Sequence, residues 1–173
     1  MMSSFVNFKE TENNVKHPNE YYMRICIEEA VKAAEEGEYA LAALIVVGEE
    51  IFSIRHTSLH SSVDPTGHAE ILAIREAAMK VGSRYIIGGY LYSTCEPCPM
   101  CAAAAIFAKM RGIVYGANQL DAKRQFLLSQ GKRHDWRQID IRAQYVIERG
   151  MPRLELYPDF MREECLRLFQ CNQ

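Results

Sequence analysis

The sequence predicts an α/β fold, a three-layer α/β/α sandwich around one mixed sheet of about five strands. Three observations carry that expectation. Helical and strand patterns alternate along the chain without repeats or low-complexity linkers. A length of 173 residues with 49% hydrophobic content suits one domain with a substantial core. The strand–helix–strand order between Tyr90 and Gly116 calls for a parallel pair joined by a right-handed crossover.

Pro18-Asn19 marks the start of a first helix, whose interrupted apolar stripe runs through Tyr22, Ile25, Cys26, Ala30 and Ala33 to a stop at Gly37. Ala42–Val47 and Ile51–His56 are short apolar runs either side of Gly48-Glu49-Glu50, a β-hairpin. Thr57 to Thr66, with Ser61, Ser62, Asp64 and Pro65, reads as a loop. It delivers His68 and Glu70 to the first turn of a helix that continues to about Val81. Gly88-Gly89 opens a strand over Tyr90–Thr94, and a helix follows from Cys98 to about Lys109 with Pro97 just ahead of its start. Ile113–Gly116 is another strand, Ala122–Ser129 a helix, Ile141–Ile147 a last strand, and Asp159–Gln170 a last helix.

Composition narrows the function classes. Six cysteines in a chain of this size do not make a secreted disulfide framework. The first 18 residues are expected to be a loosely ordered segment of the single domain 1–173, and Met1–Asn19 lacks the apolar core of a signal peptide. The longest apolar run, Ala40–Val47, suits a strand and not a membrane span. The expectation is a cytoplasmic, reduced protein with no membrane partner. A net charge of −2 argues against a large nucleic-acid footprint.

The chemistry concentrates in His68-Ala69-Glu70 and, roughly thirty residues later, Pro97-Cys98-Pro99-Met100-Cys101. One imidazole and two thiols in this spacing provide the three protein ligands of a zinc site with its fourth position open to water. His68, Cys98 and Cys101 are the candidate ligands, and Zn2+ the expected cofactor. Glu70, two residues past the His, places a carboxylate beside that open position. Hydrolysis of a C–NH2 group on an amidine-like ring needs a proton removed from water and protons delivered to the ring nitrogen and the leaving amine. One carboxylate can make all three transfers. A structural zinc would instead recruit a fourth Cys or His nearby. Cys95 is the closest candidate, and strand alternation makes it a core residue. Cys26, Cys165 and Cys171 read as buried helical thiols, and His17, His56, His60 and His134 as solvated side chains.

From about Asn19 to Gly116 the chain resembles the cytidine deaminase-like superfamily, in its branch of guanine, cytosine and tRNA adenosine deaminases. The resemblance is most specific in Asp64-Pro65-Thr66-Gly67-His68-Ala69-Glu70 and Thr94-Cys95-Glu96-Pro97-Cys98-Pro99-Met100-Cys101. It implies zinc on His68, Cys98 and Cys101, Glu70 as proton shuttle, and the Ala69 backbone N–H and Glu96 backbone carbonyl facing the substrate ring. It also implies a homodimer or higher oligomer, packed through the helices that bear the ligands.

Departures from that pattern fall on the substrate side. An ungapped register puts Ala40-Leu41-Ala42-Ala43 where such proteins carry Pro-Phe-Gly-Ala, and Thr57 where they carry an Asn that hydrogen-bonds the substrate. Leu41 removes an aromatic wall, and Thr57 offers one hydroxyl in place of a carboxamide. Asn118 or Gln119 is the alternative source of that contact. Two substrate readings stay open. A small amino-heterocycle needs a closed pocket, which Trp136, Tyr157, Phe160 and Phe169 are available to cap. A tRNA adenosine needs an open site and phosphate-binding cations, for which Lys109, Arg111, Lys123, Arg124, Lys132, Arg133 and Arg137 are available. Overall charge favours the small substrate. A non-catalytic zinc-binding interaction module is the reading from another class.

Overall fold

The computed structural model describes residues 15–129 and 139–171. Its order is α1 (Glu20–Glu35), β1 (Ala42–Val47), β2 (Glu50–His56), α2 (Ala69–Val81), β3 (Gly89–Cys95), α3 (Pro99–Phe107), β4 (Gly112–Ala117), α4 (Gln119–Ser129), α5 (Ala143–Glu148), β5 (Glu155–Tyr157) and α6 (Arg162–Leu168). The strands form one sheet in the order β2-β1-β3-β4-β5. β1 pairs antiparallel with β2 and β3, whereas β3–β4 and β4–β5 are parallel, so the sheet is mixed as expected.

Local chemistry explains the first half of the chain. Asn19 Oδ1 accepts from the Tyr21 N–H at 2.9 Å and caps α1, and Gly37 takes the left-handed φ of 83° that a side chain would resist. The unbroken apolar run of β1 suits a strand buried on both faces. Alternate residues then divide between two cores. Ala43, Ile45, Leu91, Ile113 and Tyr115 meet α2, α3 and α5 on one face. Leu44, Val46, Tyr90, Tyr92 and Val114 meet α1 and α6 on the other. Each fully buried aliphatic side chain stabilises this sandwich by about 1.5–3 kcal/mol.

Two elements differ from the sequence reading. Residues 141–147, expected as a strand, turn into α5 from Ala143, and the fifth strand is Glu155–Tyr157. The reason is tertiary. The Ala143 N–H donates to the buried Glu96 carboxylate at 2.9 Å, which starts a helix where the local pattern favours extension. α4 likewise starts three residues earlier than expected: Asn118 Oδ1 accepts the Leu120 and Asp121 N–H groups at 3.1 Å each, and the Gln119 N–H donates to Glu96 Oε2 at 2.9 Å. Residues 1–14 lie outside the described residues. His17 stacks on Tyr90 with ring centroids 3.8 Å apart, and its Nδ1 lies 2.7 Å from the Tyr92 hydroxyl. His56 sits between Glu29 and Glu36, and the His60 ring packs against Tyr39, so these three histidines are partnered and not simply solvated. His134 lies outside the described residues. Cys26 and Cys165 are buried as expected, but Cys171 is exposed, since it follows the end of α6. No described helix is long and apolar enough to cross a membrane.

Candidate active site

Two helices begin at one point. His68 is the N-cap of α2 and Cys98 the N-cap of α3, and neither side chain caps its own helix. Pro99 occupies the first turn of α3 and fixes its start, a role the sequence reading gave to Pro97. Cys101, one turn along, falls on the same side as Cys98. His68 Nδ1 lies 3.7 Å from Cys98 Sγ and 3.6 Å from Cys101 Sγ, and the two sulfurs are 3.5 Å apart. Zinc–sulfur bonds of about 2.3 Å and zinc–nitrogen bonds of about 2.0 Å set tetrahedral edges of roughly 3.5–3.8 Å, so the donor set fits zinc in size and chemistry. No fourth Cys, His, Asp or Glu joins this group among the described residues.

The electrostatics of the trio match its chemistry. The Cys98 thiol is pushed down to about 4 by its hydrogen bond with the Cys101 thiol, which outweighs its burial, and by the His68 ring. Cys101 is held up by that same hydrogen bond and by burial. His68 is raised by its contact with Cys98. A thiolate beside an imidazole at the positive ends of two helices is a ready soft-donor site.

Glu70 lies in the first turn of α2, 8% exposed. Its Oε1 accepts from Ser93 Oγ at 3.2 Å, and Cys101 Sγ approaches Oε2 at 3.6 Å. Burial raises its pKa, against the opposing pull of His68.

The group opens into a cavity of about 380 Å³. Leu41 precedes β1, Thr57 follows β2, Glu96 follows β3 and Gln119 follows β4, so four segments at one end of the sheet supply its walls. Leu59, Met100 and Ile139 add apolar surface. Leu41, Thr57 and Glu96 line this cavity, and Ala69 starts α2 with its side chain in the core. The Thr57 hydroxyl donates to Glu38 Oε2 at 3.5 Å. Glu38 is itself buried, and its carboxylate accepts the Ser61 N–H at 2.7 Å and the His60 N–H at 3.1 Å, which shapes the loop behind Thr57. Burial raises Glu38, but these backbone donors outweigh it and hold the acid below its usual value.

Sequence reasoning missed the work of the Glu96 side chain. Its carboxylate, 1% exposed, accepts from the backbone N–H groups of Gln119 and Ala143 and from Arg142 Nε, leaving only its backbone for a substrate. It also missed Ile139 as a wall. No local signal marks either role, because the partners lie 20 to 47 residues away. Tyr157, Phe160 and Phe169, available in the sequence as a cap, are core residues instead. All three pack on the α1–α6 side of the sheet, and Trp136 lies outside the described residues. Of the basic stretch, Arg111 pairs with Glu155, Lys123 with Asp140, and Lys109 lies over the Tyr85 ring. Lys132, Arg133 and Arg137 lie outside the described residues.

Residues 16–117 match the model of the cytidine and deoxycytidylate deaminase zinc-binding region. The chain is 40% identical over 104 residues to a protein named tRNA-specific adenosine deaminase from Aquifex aeolicus, across 60% of this chain and 68% of that protein. It is 37% identical over 94 residues to a guanine deaminase from Bacillus subtilis, across 54% of this chain and 59% of that protein. Among solved structures it superposes, with a TM-score of 0.65 and 26% identity, on one from a study of A-to-I editing by tRNA:A34 deaminases, covering 87% of this chain and 99% of the other.

Proposed function

Because the chain belongs to the cytidine and deoxycytidylate deaminase family and carries its zinc-binding region, we propose that it hydrolytically deaminates a base-sized amino-heterocycle, with zinc held by His68, Cys98 and Cys101. One observation carries the choice of substrate size. The cavity beside the trio is about 380 Å³ and is walled on its far side by Ile139, from the C-terminal part of the chain.

Zinc in such a site would supply an activated water at its open position, by lowering the pKa of that water toward neutrality. Glu70 would take one proton from that water and pass it to the ring nitrogen as the oxygen adds to the ring carbon, then take the second proton from the added hydroxyl and pass it to the amine, which departs as ammonia. Ser93 Oγ, donating to Oε1, holds the carboxyl in place and leaves Oε2 beside Cys101 Sγ. Burial of Glu70 keeps bulk water from competing for its proton. Leu41, Leu59 and Met100 clamp the ring as apolar walls, the Ala69 N–H and the Glu96 carbonyl address its edge, and Thr57 stands beside it.

A tRNA adenosine is the second reading, favoured by the 40% identity to the Aquifex aeolicus protein. We also place the protein in the reducing cytoplasm, in keeping with cysteines that are all free among the described residues. We place a self-association face on α3, where exposed Phe107 and Met151 share a groove with Ile74 and Ala104.

The test is ammonia release by zinc-loaded protein from guanine, cytosine, adenine, their nucleosides and tRNA. Release from a free base or nucleoside, stopped by Glu70→Ala with zinc retained, is the expected result. Release from tRNA alone selects the second reading, and release that survives Glu70→Ala removes the role given to that residue.

A further inference from the structure

We propose that Glu38 is a positioning residue for the substrate: from behind the cavity, its carboxylate holds Tyr39, Thr57 and Leu59 as one wall against the ring. This role presupposes the base-sized substrate proposed above and names what sets the fit on that side.

Tyr39, Leu41, Thr57 and Leu59 line the cavity, and they come from two segments, one ahead of β1 and one past β2. The ladder between those strands ends at Ala42 and His56, and one further bond, from the Thr57 N–H to the Leu41 carbonyl at 3.1 Å, extends it. Beyond that bond Glu38 takes over. Its Oε2 accepts the Thr57 hydroxyl at 3.5 Å, its Oε1 accepts the Ser61 N–H at 2.7 Å, and both oxygens accept the His60 N–H at 3.1 and 3.2 Å. These donors bracket Leu59 in the chain. Tyr39 follows Glu38 directly, and its ring packs against the His60 ring with centroids 5.3 Å apart. Glu38 is in turn tied to the end of α1, since its own N–H donates to the Ala33 carbonyl at 2.9 Å.

A carboxylate that is 2% exposed is costly to bury unless donors meet it, and here the loop supplies them. A satisfied buried network of this kind stiffens the segments it joins. Stiffness matters because a misplacement of about 1 Å among groups that orient a substrate costs on the order of 100-fold in rate. His68 has separate ties. At the other end of the same loop Asp64 Oδ1 accepts from the Thr66 N–H and Oγ1 at 2.8 Å each, and the Gly67 N–H donates to the Asp64 carbonyl at 3.0 Å. Loss of the Glu38 carboxylate therefore loosens the wall and leaves the zinc ligands in place.

The experiment reads binding apart from chemistry. Labelled guanine, cytosine and adenine are dialysed to equilibrium against zinc-loaded Glu70→Ala, with and without Glu38→Met. A base held by Glu70→Ala is expected to bind about 10- to 100-fold more weakly once Glu38→Met is added, with zinc content unchanged. Glu38→Gln keeps one carbonyl oxygen for Ser61 and His60, and is expected to recover part of the loss. In the Leu59→Ala background Glu38→Met should add little, because both act through the same wall, whereas a general loss of stability would add in full. Full additivity overturns the proposal, and so does zinc lost together with affinity. Should Glu38→Met fail to fold, amide exchange in the intact zinc-loaded protein decides: the His60 and Ser61 amides are expected to be protected, and rapid exchange there overturns the proposal. Bases that bind alike with and without Glu38→Met defeat this role alone. No base bound at all defeats the base-sized substrate and this role with it.

Discussion

Arg142 Nε donates to both oxygens of the Glu96 carboxylate at 2.8 Å each, across 46 residues of chain. The bond ties the turn that carries Cys98 to the segment that carries Ile139, so the metal side and the far wall of the cavity share one fastening.

Arg142→Met removes the charged donor from a carboxylate that is 1% exposed on its side chain, while two backbone N–H donors remain. The expected cost is about 2 kcal/mol, or a fall in Tm of roughly 4–8 °C. KM should rise more than kcat falls, as the Ile139 wall loosens. Thermal melts and steady-state kinetics check both.

Chelation should lower the Tm of the zinc-loaded protein, because zinc binds the folded trio and not the unfolded chain. Elemental analysis is expected to find one zinc per chain, and Cys98→Ser or His68→Ala should reduce both the zinc content and the effect of the chelator on Tm. A chelator-sensitive melt in His68→Ala would place the metal elsewhere.

Asp121 joins α4 to α6 through Arg162. Burial raises its carboxyl, but hydrogen bonds from Arg162 and the Asn118 N–H outweigh that and hold it below the ordinary value. A depressed folded-state pKa stabilises above the unfolded value and loses its contribution as pH falls through the folded one. The Tm gap between wild type and Asp121→Asn should thus be full near neutral pH and close below about pH 4. Melts from pH 7 to 2.5 measure it, and a gap that is flat across the range refutes the linkage.

Phe107 is 79% exposed and Met151 87% exposed at the groove beside α3. Phe107→Glu should shift a self-associated species toward monomer in light scattering, with the melting temperature of the monomer within a few degrees of wild type. A wild-type protein that is already monomeric at high concentration would remove this face as an interface.

The parts of the fold legible in the sequence were those fixed by local rules. α1 announced itself through Asn19 and Gly37, β1 through its apolar run, and the α2 and α3 starts through the spacing of His68, Glu70, Cys98 and Cys101. β5 escaped because three residues on a parallel edge carry almost no pattern, and α5 because Ile141–Ile147 has the composition of a strand. Only the carboxylate of Glu96, 47 residues upstream of Ala143, turns that segment helical. At the site, His68, Glu70, Cys98 and Cys101 were legible as a motif. Gln119 and Ile139 were brought to the cavity by long-range contacts, and so the substrate side was read least well.

His68 and Cys98 sit at positions where Ser, Asp or Asn would strengthen a helix, yet their side chains face each other and leave both helices without that help. Cys98→Asn or His68→Ser would supply an ordinary cap, worth about 1 kcal/mol to each helix, and would dismantle the donor set. The metal-free form of either variant should outlast that of the wild type in heat while having nothing left to do. Selection for sturdiness and selection for chemistry therefore pull in opposite directions at these two residues, and screening variants for heat resistance alone would drift toward an inert protein.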